Sequence, residues 1–208
     1  MDARRIPSCI LTPRTDEGPY FVDERLLRSD IRGDAGHGPP EEGVRLVLEL
    51  RAVEAGGDCP PVEGAHVDVW HCNAYGTYSD EPAEDTVGRT FLRGCQVTDA
   101  DGGVRFTTIF PGWYPGRAVH VHLKVRLLRD EQVTYDFTTQ LFFAEDVIHE
   151  IHTRRPPYEA RGAPEMANAE DYIYRVDGPA LTVPVAENDD GYRGSIVIGL
   201  DGLGGPAG

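Results

Sequence analysis

A chain of 208 residues, 40% hydrophobic and 26% charged, has the size and balance of one globular domain with extensions, and its 24 glycines and 16 prolines make it turn-rich without reaching the range of disorder. Asp and Glu outnumber Lys and Arg by 35 to 20, and the resulting formal charge of −15 disfavours nucleic acid and anionic membrane surfaces as partners. The longest apolar runs, such as Ser195 to Leu200, fall far short of a membrane span.

Arg4-Arg5 begins a twin-arginine pattern, but no apolar stretch follows, so a cytoplasmic chain is expected, with a secreted form after processing left open. The first forty residues are irregular, punctuated by Thr12-Pro13, Gly18-Pro19 and Gly36-His37-Gly38-Pro39-Pro40. Val44 to Val53 alternates Val44, Leu46, Leu48 and Leu50 against Arg45, Glu49 and Arg51, the period of a half-buried strand. Ala65 to His71 is a second strand, with Val67 and Val69 on one face and His66, Asp68 and Trp70 on the other. Thr98 to Gly103 reads as a hairpin turn into the strand Val104–Ile109; Asp99 and Asp101 there lack the full calcium-loop pattern. Val119–Leu127 and Thr134–Phe143 are further strands joined at Arg129-Asp130-Glu131. Ala144 to Thr153 predicts a short helix, and the 160s to Tyr174 another; Thr182–Ala186 and Ser195–Leu200 close the pattern. Short strands with turn signals between them predict an all-β fold, an antiparallel β-sandwich. The organisation expected is a single domain over 1–208, with an arm (1–42), a sandwich core (43–200) and a Gly-rich tail (201–208).

Four cysteines, Cys9, Cys59, Cys72 and Cys95, show neither CxxC nor zinc spacing. Free buried thiols are expected in a reducing compartment, with a Cys59–Cys72 disulfide as the minority reading.

His120-Val121-His122 is the strongest local sign of chemistry. Residues two apart in a strand share a face, so both imidazoles can meet one ion. Tyr114 lies six residues upstream in the loop Phe110-Pro111-Gly112-Trp113-Tyr114-Pro115-Gly116, Tyr78 lies in the turn Asn73–Asp80, and Arg117 is a fixed positive charge just before the histidines. Two imidazoles with two phenolates would form a hard anionic donor set suited to Fe(III). A phenol titrates near 10, so only a highly charged cation holds it deprotonated. Spacing alone leaves the tyrosines open, because Tyr20, Tyr75, Tyr135 and Tyr158 compete. His149 and His152 have a metal-compatible spacing but read as a solvated helix face; His66 and His71 read as locally satisfied; and Ser79-Asp80 has no base paired with it for hydrolase chemistry.

Ordered motifs narrow the choice. Val67-Asp68-Val69-Trp70-His71 with Gly76, Tyr78 and Ser79, then Phe91-Leu92-Arg93-Gly94 with Gln96-Val97-Thr98-Asp99, then Phe106-Thr107-Thr108-Ile109 with Pro111-Gly112 and Tyr114, then His120-Val121-His122, then Thr139-Gln140-Leu141-Phe142-Phe143 run in order along the chain. Together they resemble the non-haem Fe(III) intradiol ring-cleavage dioxygenases, the superfamily of protocatechuate 3,4-dioxygenase and catechol 1,2-dioxygenase, in a compact form without the long helical N-terminal region of the latter. The resemblance implies an immunoglobulin-like or prealbumin-like sandwich and one Fe(III) per chain, held by Tyr78, Tyr114, His120 and His122. It also implies Arg117 and Gln140 beside the reacting carbons, and no NAD, flavin or haem. The substrates implied are a catechol and O2, and the product is a cis,cis-muconate-type diacid. Thr12-Pro13-Arg14-Thr15-Asp16-Glu17-Gly18-Pro19-Tyr20 is similar to the pocket-lining arm of the protocatechuate enzymes, so Gly18, Pro19, Tyr20 and Gly116 are the expected substrate contacts; the arm departs from the family at Thr15 and Asp16, where Gln and Thr stand. The competing readings are a non-catalytic transthyretin-like or carbohydrate-binding sandwich, and an Fe(II) oxygenase taking a carboxylate from Asp68 or Asp80. Which catechol is used, whether the role is catabolic or biosynthetic, and whether a homo-oligomer forms stay open.

Overall fold

Alternation along the strands decides which side chains meet between two sheets. The computed structural model describes residues 10–35 and 38–203; Arg4-Arg5, Cys9, Gly36-His37 and the end of the tail lie outside them. The strands are β1 (Arg45–Glu54), β2 (His66–Trp70), β3 (Arg93–Val97), β4 (Gly103–Ile109), β5 (His120–Arg129), β6 (Gln132–Phe142), β7 (Val185–Asn188) and β8 (Gly191–Leu200), with helices α1 (Glu145–Arg154) and α2 (Tyr174–Leu181) between β6 and β7. One sheet has the order β4-β1-β8-β7 and the other β3-β2-β5-β6. Leu46, Leu48 and Leu50 of β1 and Phe106 of β4 meet Val67 and Val69 of β2 and Val121, Leu123 and Val125 of β5 in the core. Each such side chain, fully buried, contributes roughly 1.5–3 kcal/mol.

The all-β sandwich is as expected, and among the named strands the pairing is antiparallel except that β1 and β8 run parallel. The β5–β6 hairpin turns at Asp130 and Glu131, both with positive φ (51° and 62°), as a tight turn matched to strand twist requires. Asp99 accepts the Asp101 and Gly103 amides at 3.0 and 2.7 Å, so the Thr98–Gly103 segment is the hairpin turn predicted.

Two expected elements move, and one strand appears that the sequence did not predict. β3 has no apolar alternation and is visible only in its pairing with β2. The helix expected from the 160s is a single 3-10 turn at Asn168–Glu170, and α2 starts only at Tyr174, because Asp171 accepts the Ile173 and Tyr174 amides and so sets the helix start there. The strand expected at Thr182 begins at Val185 instead, since the Thr182 hydroxyl turns back to the Gly178 carbonyl at 2.8 Å and finishes α2.

The expectation of free buried thiols holds for Cys72 and Cys95 and fails for Cys59. Cys72 and Cys95 are buried free thiols, so Cys72 is not the partner of Cys59; Cys59 is disulfide-bonded.

The arm is what prepares the site. β5 is buried on both faces: Val121, Leu123 and Val125 point to the core, while His120, His122, Lys124 and Arg126 on the opposite face are 1–5% exposed. The arm covers that second face, crossing the sheet strand by strand. The Thr15 amide bonds the Thr138 carbonyl on β6, Glu17 pairs with Lys124 at 2.5 Å, Asp23 pairs with Arg126 at 3.0 Å, and the Arg28 amide bonds the Cys95 carbonyl on β3. Among the helices of the described residues, none is long and apolar enough to cross a membrane.

Candidate metal centre

Strand register sets the floor of the site. Trp70 on β2 lies opposite His122 on β5, and His122 lies opposite Gln140 on β6, so these three side chains form one row across the sheet. The Trp70 and His122 rings stack with centroids 4.8 Å apart and planes at 8°. His120 stands two residues before His122, and their Nε2 atoms are 3.1 Å apart. Two nitrogens this close can both reach one ion at the usual metal–nitrogen distance of about 2.1 Å. The His120 Nδ1–H donates to the Ala118 carbonyl at 2.7 Å, which leaves Nε2 as the free lone pair. Burial drives the His120 pKa down to about 3 and that of His122 well below the usual value, so both rings are neutral donors.

Two loops supply the phenols, and glycine lets them meet. Gly76 adopts φ +86°, and a Cβ there would stand 2.2 Å from the Trp113 carbonyl; one on Gly112 would stand 2.3 Å from the Asn73 carbonyl. The close approach brings the Tyr78 and Tyr114 rings to 5.7 Å. Asn73 tightens the first loop by accepting the Tyr75 and Thr77 amides, and Thr86 fixes its far end by donating to the Tyr78 carbonyl at 2.7 Å. The Tyr114 hydroxyl is 3.2 Å from His120 Nε2. The Tyr78 hydroxyl is buried with no hydrogen-bond partner, as is His122 Nδ1. Burial pushes the Tyr78 phenol well above 10 and that of Tyr114 up to about 12, the latter eased downward by Arg117. A phenol that burial keeps protonated and that has no partner is satisfied by a strongly charged cation. The four side chains therefore fit a hard, highly charged ion.

Arg117 stands at the edge of this cluster. Its Nε donates to Asp171 at 2.8 Å, its Nη2 donates to Gln140 Oε1 at 2.6 Å, and Gln140 Nε2 donates to the Asp16 carbonyl at 2.8 Å. Asp171 is fully buried. Its burial would raise its carboxyl pKa, but Arg117 and the Ala118 and Tyr174 amides hold it below the usual value. The arm roofs the site: Tyr20 stacks on Tyr78 at 4.0 Å and 15°, and a Cβ on Gly18 would stand 3.3 Å from His122 Cε1. Pro19 and Gly116 are exposed at the rim. These contacts join Tyr78, Tyr114, His120 and His122 to Arg117, Gln140, Gly18 and Tyr20.

Other sequence candidates sort themselves by their contacts. Ser79 donates to the Phe91 carbonyl and accepts from Arg93, a structural bond with no base beside it. His71 is buried between the Cys72 carbonyl and Thr108, satisfied as expected. His149 is exposed, but His152 is 1% exposed and packs on Phe110 and Tyr158, so it is a core residue rather than part of a solvated face. Asp68 is engaged by Arg126, and Asp80 accepts the Gly88 amide. Among the described residues no three His, Cys, Asp or Glu side chains converge, so neither carboxylate completes a two-histidine, one-carboxylate set.

A family model described as "Dioxygenase" matches residues 16–152. The chain belongs to the intradiol ring-cleavage dioxygenases. It is 35% identical over 108 residues to catechol 1,2-dioxygenase 1 of Acinetobacter lwoffii, covering 50% of this chain and 32% of that protein. It is 33% identical over 145 residues to the protocatechuate 3,4-dioxygenase beta chain of Burkholderia cepacia, covering 64% and 60%. These matches span about a third to three fifths of the curated relatives' lengths. An intradiol ring-cleavage dioxygenase structure from Tetranychus urticae superimposes with a TM-score of 0.79 at 31% identity, covering 94% of this chain and 96% of that one.

Sequence reasoning missed several residues around the site. Lys124 and Arg126 continue the two-residue period of His120 and His122, a signal present in the strand itself. Asp171, 54 residues from Arg117, had none. Tyr172, whose ring lies 5.2 Å from the Arg117 guanidinium, had none either.

Proposed function

We propose that this chain is an enzyme that opens a catechol-type ring between its two hydroxyls with O2, using one ferric ion held by Tyr78, Tyr114, His120 and His122. The observation that carries this reading is the convergence of two neutral imidazoles and two buried phenols with no carboxylate among them. Ferric iron, when bound, polarises a chelated catechol and activates its ring towards O2.

The protein's own residues do the remaining work. Tyr114 is only partly buried, so its oxygen, held as a phenolate in the loaded site, would be the one placed to take up a catechol proton as the substrate arrives. Tyr78, fully buried beneath Tyr20, is the phenol that stays in place. Arg117 holds positive charge beside the ring carbon where negative charge develops, and Asp171 and Gln140 fix its orientation before the substrate arrives. Tyr20 and Gly18 restrict the space above the donors and exclude water from it.

The product tests this. Catechol should yield an ultraviolet-absorbing muconic acid retaining both atoms of labelled O2, without added reductant. A yellow hydroxymuconic semialdehyde, or strict dependence on ferrous iron and ascorbate, would refute the assignment.

A further inference from the structure

Resting on that reading, we infer that the site selects catechols whose ring substituent is neutral or cationic, and that Asp16 enforces the choice against anionic ones. Asp16 is tied to the site through its backbone: its carbonyl accepts from Gln140, which in turn accepts from Arg117. Its carboxylate is on the exposed side of that pair and accepts from the Tyr172 hydroxyl at 3.3 Å, while the Tyr172 ring faces the Arg117 guanidinium. The Asp16–Tyr172 contact joins the arm to the segment before α2. A ring lying against the buried Gln140 and Arg117 therefore presents its outer edge to a carboxylate and a phenol.

The cations around this edge are already engaged. Arg117 is paired with Asp171, Lys124 with Glu17 and Asp136, and Arg14 with Asp201 at 3.6 Å, while Arg93 is buried with its N–H groups on the Ser79 hydroxyl and the Tyr20 and Ser79 carbonyls. An anionic substituent would thus face Asp16 with no uncommitted cation among these residues to receive it. Two like charges about 6 Å apart in a half-solvated rim repel enough to lower affinity on the order of tenfold, and a cationic substituent gains by the same attraction.

The test compares kcat/KM of the iron-loaded protein for 4-methylcatechol, protocatechuate, 3,4-dihydroxyphenylacetate and dopamine, by oxygen uptake at low and high salt. Binding of two non-reacting monophenols, p-cresol and 4-hydroxybenzoate, is followed in parallel by calorimetry. The carboxylated compounds should fall about tenfold or more below their neutral counterpart in both measurements, with the gap narrowing at high salt. Asp16→Asn should raise the carboxylated-to-neutral ratio by a similar factor, and Asp16→Glu should retain the discrimination. Equal or better use of the carboxylated catechols by the wild type, or an unchanged ratio in Asp16→Asn, overturns this inference alone. Failure to turn over any catechol overturns the proposed function itself, and with it the inference.

Discussion

Asp171→Ala tests the link between the site's fixed charge and the stability of the fold. Asp171 is fully buried and accepts four N–H groups: Arg117 Nε at 2.8 Å, Ala118 at 2.9 Å, Ile173 at 2.8 Å and Tyr174 at 3.1 Å. Losing the cap on α2 should cost about 1 kcal/mol. Stranding a buried charge by deleting its partner costs about 3–5 kcal/mol in full, but Arg117 is 13% exposed and keeps Gln140, so about 2–3 kcal/mol is expected here. The single variant should therefore lose about 3–4 kcal/mol, a large share of a typical domain's stability. In an Arg117→Met background the guanidinium is already gone and the Asp171 carboxylate is itself left without its cation, so Asp171→Ala should cost at most the cap. Urea unfolding of the iron-free protein in all four combinations gives the coupling, expected at about 2–3 kcal/mol. Iron-loaded Arg117→Ala should retain its metal while turnover drops about 10²–10³-fold, the range for one preorganised electrostatic donor. Additive stability losses, with coupling under about 0.5 kcal/mol, would show that the two residues touch without depending on each other, and the preorganisation assigned to Asp171 would be wrong.

Burial holds His71 neutral with a pKa of about 4, so below the unfolded value near 6.5 only the unfolded chain takes up its proton, and stability falls as pH drops. Between about pH 7.5 and pH 5 this one group should remove about 2 kcal/mol from the iron-free protein; His71→Gln, unfolded in urea at both pH values, should lose that part of the slope, and an unaltered slope would refute it. The iron-loaded protein should be burgundy through phenolate-to-iron charge transfer, and Tyr78→Phe should weaken and shift the visible band while leaving the iron-free protein equally or more stable, since it removes an unpartnered buried hydroxyl. A colourless iron-loaded wild type would sink the ligand assignment. In denaturant without reductant, iodoacetamide should label Cys72 and Cys95 but reach Cys59 only after reduction, as mass spectrometry of the digested protein would reveal.

Much of the sandwich was legible because its strands carry their own periodicity. β1, β2 and β5 alternate, and the Asp99–Gly103 and Asp130–Glu131 turns carry the residues that tight turns need. β3 was not legible: Arg93-Gly94-Cys95 has no period, and the strand exists because β2 offers it an edge. The parallel pairing of β1 and β8 was equally hidden, since no local signal records which way a strand returns after two helices. The start of α2 depends on Asp171, whose carboxylate is split between capping the helix and holding Arg117. Such a residue is fixed by tertiary contacts at both ends and has no local signature.

The histidine strand holds a further level of information in plain view. His120, His122, Lys124 and Arg126 occupy one face at period two, and all are buried. A strand with donors and cations on one face and valine and leucine on the other would ordinarily place the polar face in water. Burying Lys124 and Arg126 is tolerable only with carboxylates supplied against them, and those come from β2, β6 and the arm: Asp68 and Asp23 on Arg126, Asp136 and Glu17 on Lys124. The Phe21 ring lies 4.9 Å from the Lys124 ammonium and 5.6 Å from the Arg126 guanidinium between these pairs. The same arm segment that neutralises the two cations carries Gly18 onto His122 and Tyr20 onto Tyr78. Ion pairing at one end of β5 and enclosure of the donor set at the other are therefore consequences of a single docking event, with the strand's two-residue period fixing the distance between them.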